Sequence, residues 1–287
     1  MFEVGVFADD IDQDLDHALD VVESLGVRWL EIRSAWGKNL VDHTDGDARD
    51  IVARIHARGL RVACVAAPLL KSRLDGLGDA SHEQFFAETK DTWEQQLAVL
   101  RRAAALAHLC GTRLVRCFSF WRAGDDPAPI WERLTARFRE IVRAAESEAV
   151  VLVMENDFEC NLGTGALAAR LVRQIGSPHL RVLWDPGNAY FVGETPYPDG
   201  YGHVRSLVAH VHLKDAVRSG PGEVPRWVAL GTGSVDLLGQ VRALLSDGYA
   251  GVATMEDHHV PPGGDREAGI RESFRGLRDL LRAATAP

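Results

Sequence analysis

Four apolar segments in the second half of the sequence end in side chains that can bind a metal ion or carry a proton. Glu155, Asp185 and Glu256 directly follow three of these segments, and the fourth segment contains His210 and His212. The two histidines alternate by two residues and share one strand face, which leaves open which of them reaches the carboxylates. A single residue of this kind is equally well explained as a helix cap or a surface charge. Four segments of this kind in succession indicate one shared site.

Three carboxylates in one apolar cavity would repel one another and stay protonated unless a cation neutralised them. The residue types therefore predict a divalent metal ion. Three oxygen ligands and one nitrogen ligand favour Mn²⁺, Mg²⁺ or Co²⁺, with Zn²⁺ as the alternative.

Short β-branched segments alternate with longer amphipathic segments along the whole chain, which is typical of repeated βα units. We predict eight strands, at 3–7, 28–33, 61–65, 114–117, 150–155, 181–185, 208–213 and 251–255. We predict eight helices, at 14–25, 48–58, 83–109, 130–148, 165–175, 201–207, 235–246 and 266–282. The first strand is followed by Ala8-Asp-Asp-Ile11 and not by the glycine-rich turn of an open nucleotide-binding sheet. The pattern favours a single (β/α)8 TIM barrel domain over residues 1–287, with the site at the carboxyl ends of its strands.

The formal net charge of −9 disfavours a protein that binds nucleic-acid phosphates. The apolar runs are too short to cross a membrane, and the first residues lack the basic start of a signal peptide, so we expect a cytoplasmic protein. Four cysteines without paired metal-site spacing are expected to be buried thiols; they are Cys64, Cys110, Cys117 and Cys160.

The sequence resembles the sugar phosphate isomerase and epimerase family of the xylose isomerase-like TIM barrel superfamily, which is related to AP endonuclease family 2. The resemblance extends through nearly the whole chain and is most specific at Glu155-Asn156, Trp184-Asp-Pro-Gly-Asn188, His210-Val-His-Leu-Lys-Asp215, Gly231-Thr-Gly233 and Met255-Glu-Asp257. It implies that Glu155, Asp185, His212 and Glu256 bind one metal ion. His212 is the histidine it selects, because the ligand of the family precedes a Leu-x-Asp turn.

Departures from two branches of this superfamily narrow the expected activity. The additional histidine ligands of the endonucleases are missing where this sequence has Ala66, Phe118 and Val228. Asn161 and Asn188 stand where ketose 3-epimerases carry a glutamate and a histidine. The resemblance therefore implies a one-metal sugar enzyme and argues against both a nuclease and a strict ketose 3-epimerase.

Five further residues are candidate substrate contacts, namely Arg218, Lys214, Asn188, His210 and Trp121. For Lys214 the alternative is an ion pair with Asp215, and for Trp121, as for Trp36 and Phe118, it is core packing.

Three other features have both a functional and a structural interpretation. Glu31 and Arg33 alternate on the second strand and are expected to form a buried ion pair in the barrel floor. His258 and His259 are either further ligands or residues of an exposed loop. The segment 69–81 is either an active-site lid or a mobile loop.

The sequence therefore predicts an isomerase or epimerase that acts on a sugar, keto-sugar or polyol derivative, with Glu155 and Glu256 as base and acid on either side of the ion. The alternative in the same superfamily is a lyase, similar to inosose or 3-dehydroshikimate dehydratases. An AP endonuclease and a non-catalytic barrel are the less favoured classes. We expect a small sugar-like substrate as the partner, no nucleic acid and no membrane, and a homo-oligomer is compatible with the sequence.

Overall fold

Eight parallel strands form a closed barrel in the computed structural model, which describes residues 2–78, 90–220 and 222–286. The barrel strands are β1 (Glu3–Phe7), β2 (Trp29–Ile32), β5 (Arg61–Leu69), β6 (Leu114–Cys117), β7 (Val151–Glu155), β8 (Leu180–Trp184), β9 (Val208–Leu213) and β12 (Val252–Met255). Two short hairpins lie outside the barrel and pair β3 (Ser34–Ala35) with β4 (Lys38–Asn39) and β10 (Asp215–Val217) with β11 (Arg226–Val228). The predicted (β/α)8 barrel is confirmed.

Helices follow the strands and surround the barrel. They are α1 (Leu15–Leu25), α2 (Asp45–Ala57), α3 (Trp93–Cys110), α4 (Trp131–Ser147), α5 (Gly165–Ile175), α6 (Pro186–Phe191), α7 (Tyr201–Val204), α8 (Leu237–Ser246) and α9 (Arg266–Thr285). Asp14 caps α1 by accepting hydrogen bonds from two backbone N–H groups, and the left-handed Gly26 ends the same helix.

Two helix predictions need correction. The helix predicted at 83–109 begins at Trp93 and ends at Cys110, and residues 83–89 lie outside the described part of the chain. Thr92 caps this helix and forms a capping box with Gln95 in its first turn. The helix predicted at 201–207 ends at Val204. The short helix α6 was not predicted; it starts directly after Asp185, whose side chain caps it by accepting from the backbone N–H of Asn188.

The strand register brings the ends of β7, β8, β9 and β12 to one mouth of the barrel. Glu155 pairs with Leu183, Trp184 pairs with Val211, and His212 pairs with Thr254. Along each strand, every second side chain points to the same face of the sheet, which in a closed barrel is the face toward the axis. Because these four strands are neighbours in the barrel, the inward-facing residues at their ends lie close together.

The described core has three parts. A large cluster fills the space between helices and strands, and two small separate clusters consist of Cys64, Val153 and Leu183 and of Phe118, Trp121 and Cys160. All four cysteines are buried free thiols, as predicted. Within the described ranges, no helix is both long and apolar enough to cross a bilayer.

Candidate active site and metal centre

Glu155, Asp185, His212 and Glu256 come together at the mouth of the barrel. One side-chain ligand atom from each lies within 4.8 Å of the others. Each of these residues is at most 3% exposed. The imidazole nitrogen Nδ1 of His212 is 3.4 Å from Oε1 of Glu155 and 3.1 Å from Oε2 of Glu256. We call these four residues the ligand group.

The ligand group fits a divalent cation. Oδ2 of Asp185, Nδ1 of His212 and Oε2 of Glu256 are buried and form no hydrogen bond of normal geometry within the described residues, although Nζ of Lys214 lies 3.0 Å from Oδ2 of Asp185 and 2.7 Å from Oε2 of Glu256. Buried polar atoms without a well-formed hydrogen bond are rare in proteins and call for an explanation. Three carboxylates and one imidazole nitrogen are suitable ligands for Mn²⁺, Co²⁺ or Zn²⁺, and carboxylates also suit Mg²⁺.

The structure separates the roles of the two histidines. His212 belongs to the ligand group, whereas the ring of His210 contacts Glu31 and lies 3.3 Å from Oγ1 of Thr254. His210 is 1% exposed, and the structure does not bring it to the ligand group.

The expected ion pair between Glu31 and Arg33 does not form. Oε1 of Glu31 accepts from Nε2 of His212 at 3.1 Å and also contacts His210. Arg33 instead reaches the mouth, where it donates to Asp9 at 2.8 Å, to Asp10 at 2.7 Å and to Glu256 at 3.3 Å. Glu31 therefore contacts the two histidines of the site, and Arg33 contacts the carboxylates at its mouth.

The alternative ion pair between Lys214 and Asp215 is also wrong. Nζ of Lys214 lies 2.7 Å from Glu256, 3.0 Å from Asp185 and 3.5 Å from Glu155. Lys214 is thus in contact with all three carboxylates of the ligand group.

Asp215 has a structural role of its own. Its Oδ2 accepts from the backbone N–H groups of Gly231 and Gly233, each at 2.9 Å. A Cβ atom at position 233 would overlap the carboxylate of Asp215, so this position requires glycine. Asp215 therefore fixes the loop that follows the second hairpin.

A third cation next to the ligand group, Arg116, was not predicted from the sequence. Its Nη1 lies 3.3 Å from Oε2 of Glu155 and 3.7 Å from Oε1 of Glu256, and its Nη2 donates to the carbonyl of Ala66. Arg116 is 2% exposed. The available signal was a single charged residue inside the apolar strand β6, a position that is rarely charged unless the charge is paired.

These cations set the ionisation of the carboxylates. Burial raises the pKa of Glu155, but Lys214 and His212 together lower it to about 2. Burial likewise raises the pKa of Glu256, and Lys214 and His212 hold it well below its usual value. For Asp185, burial raises the pKa to about 6, against the opposing effect of Lys214. Glu155 and Glu256 are therefore carboxylates at neutral pH.

Two asparagines support the ligand group. Asn188 donates from Nδ2 to Oε1 of Glu155 at 2.9 Å, and its Oδ1 lies 3.4 Å from Nζ of Lys214. Asn156 donates to the carbonyl of Asp185 and accepts from its N–H, both at 2.8 Å. Asn188 thus contacts a candidate base directly, and its predicted contact with substrate stays a prediction.

Arg218 and Trp121 lie outside the ligand group. Arg218 donates to the carbonyl of Glu223 at 2.6 Å and, with Tyr190, lines a neighbouring cavity of about 550 Å³. Trp121 is 2% exposed and packs with Phe118 and Cys160. Their predicted contacts with substrate stay predictions.

Four rings from the segments that follow β7, β8, β9 and β12 form an aromatic row at the mouth. Phe158 lies 4.3 Å from Phe191, Phe191 is stacked on Trp227 at 4.7 Å, and the ring of His258 lies 5.4 Å from Trp227. Nζ of Lys214 is 5.6 Å from the centre of the Trp227 ring. The aromatic row, Phe158, Phe191, Trp227 and His258, therefore adjoins the ligand group.

Other candidates lie in different surroundings. His258 belongs to the aromatic row and His259 lies 3.0 Å from Glu272, so neither is in the ligand group. Trp36 packs against His43 and Arg54. In the proposed lid segment, residues 79–81 lie outside the described residues, and the carbonyls of 69, 70 and 72 accept hydrogen bonds from the backbone of 118, 120 and 121.

A family model described as a xylose isomerase-like TIM barrel matches residues 19–280. The solved structure of the IOLI protein with a binding zinc atom is similar, with a TM-score of 0.76 and 15% identity over 100% of both chains. D-psicose 3-epimerase with D-tagatose from Clostridium cellulolyticum H10 has a TM-score of 0.71 and 18% identity over 98% of this chain and 99% of its own. The probable 3-DHS dehydratase AsbF from Bacillus anthracis has a TM-score of 0.72 and 14% identity over 96% of this chain and 99% of its own. No curated protein matched the sequence.

Proposed function

Because this chain belongs to the xylose isomerase-like TIM barrel family, we propose that it is a metal-dependent isomerase or epimerase of a sugar, keto-sugar or polyol derivative. The observation that carries the proposal is the placement of two ionised glutamates, Glu155 and Glu256, on the outer two of four consecutive ligand-bearing strands. Both lie within 3.5 Å of His212 Nδ1, and Asp185 completes the group between them.

The proposed reaction begins with removal of a proton from the carbon next to a carbonyl group. One glutamate takes this proton, the electron pair of the C–H bond becomes part of a new C=C bond, and the carbonyl oxygen gains the negative charge of an enediolate. The other glutamate takes a proton from solvent and gives it to carbon, and the first glutamate releases its proton to solvent at the end of the cycle. Addition to the opposite face of the same carbon gives an epimer. Addition to the neighbouring carbon gives an isomer, provided that the hydroxyl proton of the enediolate moves to the other oxygen as the new carbonyl forms.

Residues of this chain provide the conditions for that transfer. Glu155, Asp185, His212 and Glu256 would hold a divalent ion that polarises the carbonyl and a neighbouring hydroxyl and so acidifies the C–H bond. Lys214 and Arg116 keep the glutamates ionised, and Asn188 orients Glu155 through its 2.9 Å hydrogen bond. The aromatic row provides an apolar surface against which the carbon skeleton of a substrate can pack.

Deuterium exchange tests the proposal. The Mn²⁺-loaded protein is incubated in D2O with D-psicose, D-tagatose and a set of cyclic keto-sugars, and the products are examined by NMR and mass spectrometry. We expect deuterium at the carbon next to the carbonyl of at least one compound. A protein that binds the ion but leaves every open-chain and cyclic ketone unlabelled contradicts the proposal.

A dehydratase is the second candidate. Asn161 and Asn188 replace two residues of the ketose 3-epimerase pattern, and proton abstraction next to a carbonyl is also the first step of dehydration. In that case the same glutamate removes the proton, the electron pair of the C–H bond forms a C=C bond, and the hydroxyl of the next carbon takes up a proton from solvent and leaves as water. Two measurements distinguish dehydration from epimerisation. The product of dehydration is lighter than the substrate by about 18 mass units, one water, and it absorbs light as a conjugated ketone.

We propose a small-molecule substrate and not nucleic acid. The three positions that hold extra ligands in the endonucleases carry Ala66, Phe118 and Val228, all buried apolar side chains.

A further inference from the structure

The layer beneath the ligand group contains a second buried cluster. Glu31, His210 and His212 are each at most 1% exposed, and their ligand-type atoms lie within 4.8 Å of one another. His212 is common to this cluster and to the ligand group. Its two ring nitrogens face different partners, since Nδ1 faces Glu155 and Glu256 whereas Nε2 faces Glu31.

A histidine can bind a cation only through a nitrogen that carries no proton, and its other nitrogen is then the donor. Oε1 of Glu31 lies 3.1 Å from Nε2 of His212, which is a suitable distance for an N–H···O hydrogen bond. This contact places a proton on Nε2, so Nδ1, which faces Glu155 and Glu256, is the nitrogen that can give up its proton to an ion in the ligand group. The ring is also held by Phe7, whose centre lies 5.2 Å away in an edge-to-face arrangement.

The same carboxylate oxygen of Glu31 contacts Nε2 of His210. Both imidazole rings thus approach the carboxylate of Glu31 with a nitrogen, and the carboxylate is held between them. A carboxylate behind a metal-binding histidine both orients the ring and increases the basicity of the coordinating nitrogen.

We propose that Glu31 is a positioning residue that selects Nδ1 of His212 as the metal-binding nitrogen. The inference rests on the proposed function, because it assigns Glu31 a role toward the same divalent ion. His210 then serves as the second donor that holds Glu31 in place. This role replaces the substrate contact that the sequence suggested for His210.

The test compares Zn²⁺ affinity and histidine NMR spectra of metal-free and Zn²⁺-loaded protein labelled with ¹⁵N-histidine. Glu31→Leu removes the acceptor, and we expect Zn²⁺ affinity to fall by about 10–100-fold. In the loaded wild-type protein, His212 should show a protonated Nε2 and a coordinated Nδ1, and the Nε2–H signal should be lost or strongly shifted in Glu31→Leu. His212→Asn identifies the signal.

Two further variants separate positioning from general loss of structure. Glu31→Gln keeps one oxygen acceptor and nearly the same size, so its affinity should lie between those of wild type and Glu31→Leu. His43→Gln is the matched control, because His43 is a buried histidine whose ring contacts the carbonyl of Ala35 outside both clusters, so its Zn²⁺ affinity should stay within about threefold of wild type. Circular dichroism and thermal unfolding establish that each variant is folded.

The outcomes are distinct. Wild-type Zn²⁺ affinity and an unchanged His212 spectrum in folded Glu31→Leu and Glu31→Gln would overturn the role of Glu31 and leave the proposed function intact. Failure of the wild-type protein to bind any divalent ion would overturn the proposed function, and with it the role of Glu31.

Discussion

The ammonium nitrogen of Lys214 lies 2.7 Å from Oε2 of Glu256. It also lies 3.0 Å from Oδ2 of Asp185, and both oxygen atoms belong to residues of the ligand group. A divalent ion held by these residues needs the same oxygens. The side chain of Lys214 and the ion are therefore competitors, and the flexible lysine stem allows the ammonium group to turn toward substrate when the ion binds.

Removing this competitor should strengthen metal binding. We expect Lys214→Met to increase Mn²⁺ affinity by about tenfold, because the substitution removes the repulsion between the ammonium group and the ion. A tenfold change corresponds to only a small part of the repulsion between two close charges in a protein interior. Isothermal titration of metal-free protein measures the change. Lys71→Met is the matched control, because Lys71 is a half-buried lysine that follows strand β5 and pairs with Asp157 and Glu159. Weaker Mn²⁺ binding by Lys214→Met would show that Lys214 organises the carboxylates and does not compete with the ion.

Metal loading should stabilise the fold. At a free Mn²⁺ concentration of 100 times Kd, we expect a gain of about 2.7 kcal/mol in the free energy of unfolding, since the ion binds only the folded chain. Urea unfolding with Mn²⁺ and with EDTA measures this gain. Asp185→Asn should lose most of it while keeping the cap of α6, because the amide oxygen can still accept from the N–H of Asn188. Identical unfolding curves with and without Mn²⁺ in the wild-type protein would contradict the assignment of the ligand group.

The barrel and the convergence of the ligand group were predictable from sequence because both follow from strand periodicity. Residues at the ends of consecutive parallel strands must share one mouth, so Glu155, Asp185 and Glu256 were expected to meet. The family motif then selected His212. The structure places His212 in the ligand group and His210 beneath it, an outcome that periodicity alone leaves open because the two residues share a strand face.

The cations around the site could not be assigned in the same way. The spacing of Glu31 and Arg33 in the sequence predicts an ion pair between them. Arg33 instead binds Asp9 and Asp10, which follow the neighbouring strand β1. Glu31 contacts His210 and His212. Each of these choices depends on which strands are neighbours in the closed barrel and on the height of each residue along its strand. The pattern of a single sequence shows neither which strands are neighbours nor how high each residue lies along its strand. For the same reason, the contacts of Arg116 could not be predicted.

The Asp10 carboxyl should make stability depend on pH. Burial raises its pKa from 3.8 to about 7, partly offset by Arg33. Between pH 3.8 and about 7 the folded state therefore holds a proton that the unfolded state releases. The contribution of Asp10 to the free energy of unfolding is thus complete below pH 3.8 and is lost as the pH rises to about 7. We expect the free energy of unfolding of EDTA-treated wild type to fall across this range by up to about 4 kcal/mol more than that of Asp10→Asn. Asp125→Asn, at an exposed position, should keep the wild-type slope. Equal slopes in wild type and Asp10→Asn would contradict the prediction.

Trp227 should contribute to substrate binding. It is stacked on Phe191 and lies close to Lys214, so its removal takes apolar surface from the mouth. We expect Trp227→Ala to raise KM by about 3–10-fold with a small change in kcat, because an aromatic contact contributes about 0.5–1.5 kcal/mol. Trp227→Phe should retain most of the binding. Trp36→Ala is the control, since Trp36 packs against His43 and Arg54. A normal KM with a large loss of kcat would place Trp227 in the chemical step.

Glu155 and Glu256 should each be essential for proton transfer without being essential for the fold. Glu→Gln at either position keeps the size and one possible ligand oxygen but removes the basic carboxylate, and loss of a general base lowers the rate by roughly 10²–10⁴-fold. Both glutamates are in contact with Arg116 and with Nδ1 of His212. The two Gln variants therefore weaken the same two contacts, and their rates can be compared directly.

The measurement combines kcat/KM with deuterium incorporation and metal content for each glutamate variant. Because Glu155 and Glu256 also belong to the ligand group, metal content determined by elemental analysis must equal that of wild type before the rates are compared. If one glutamate removes the proton and the other returns it, the variant that lacks the first should show neither turnover nor exchange. The variant that lacks the second should still exchange deuterium into recovered substrate while product formation fails. Wild-type rates in both metal-loaded variants would show that neither glutamate moves the proton, and Lys214, which contacts both, would be the next residue to substitute.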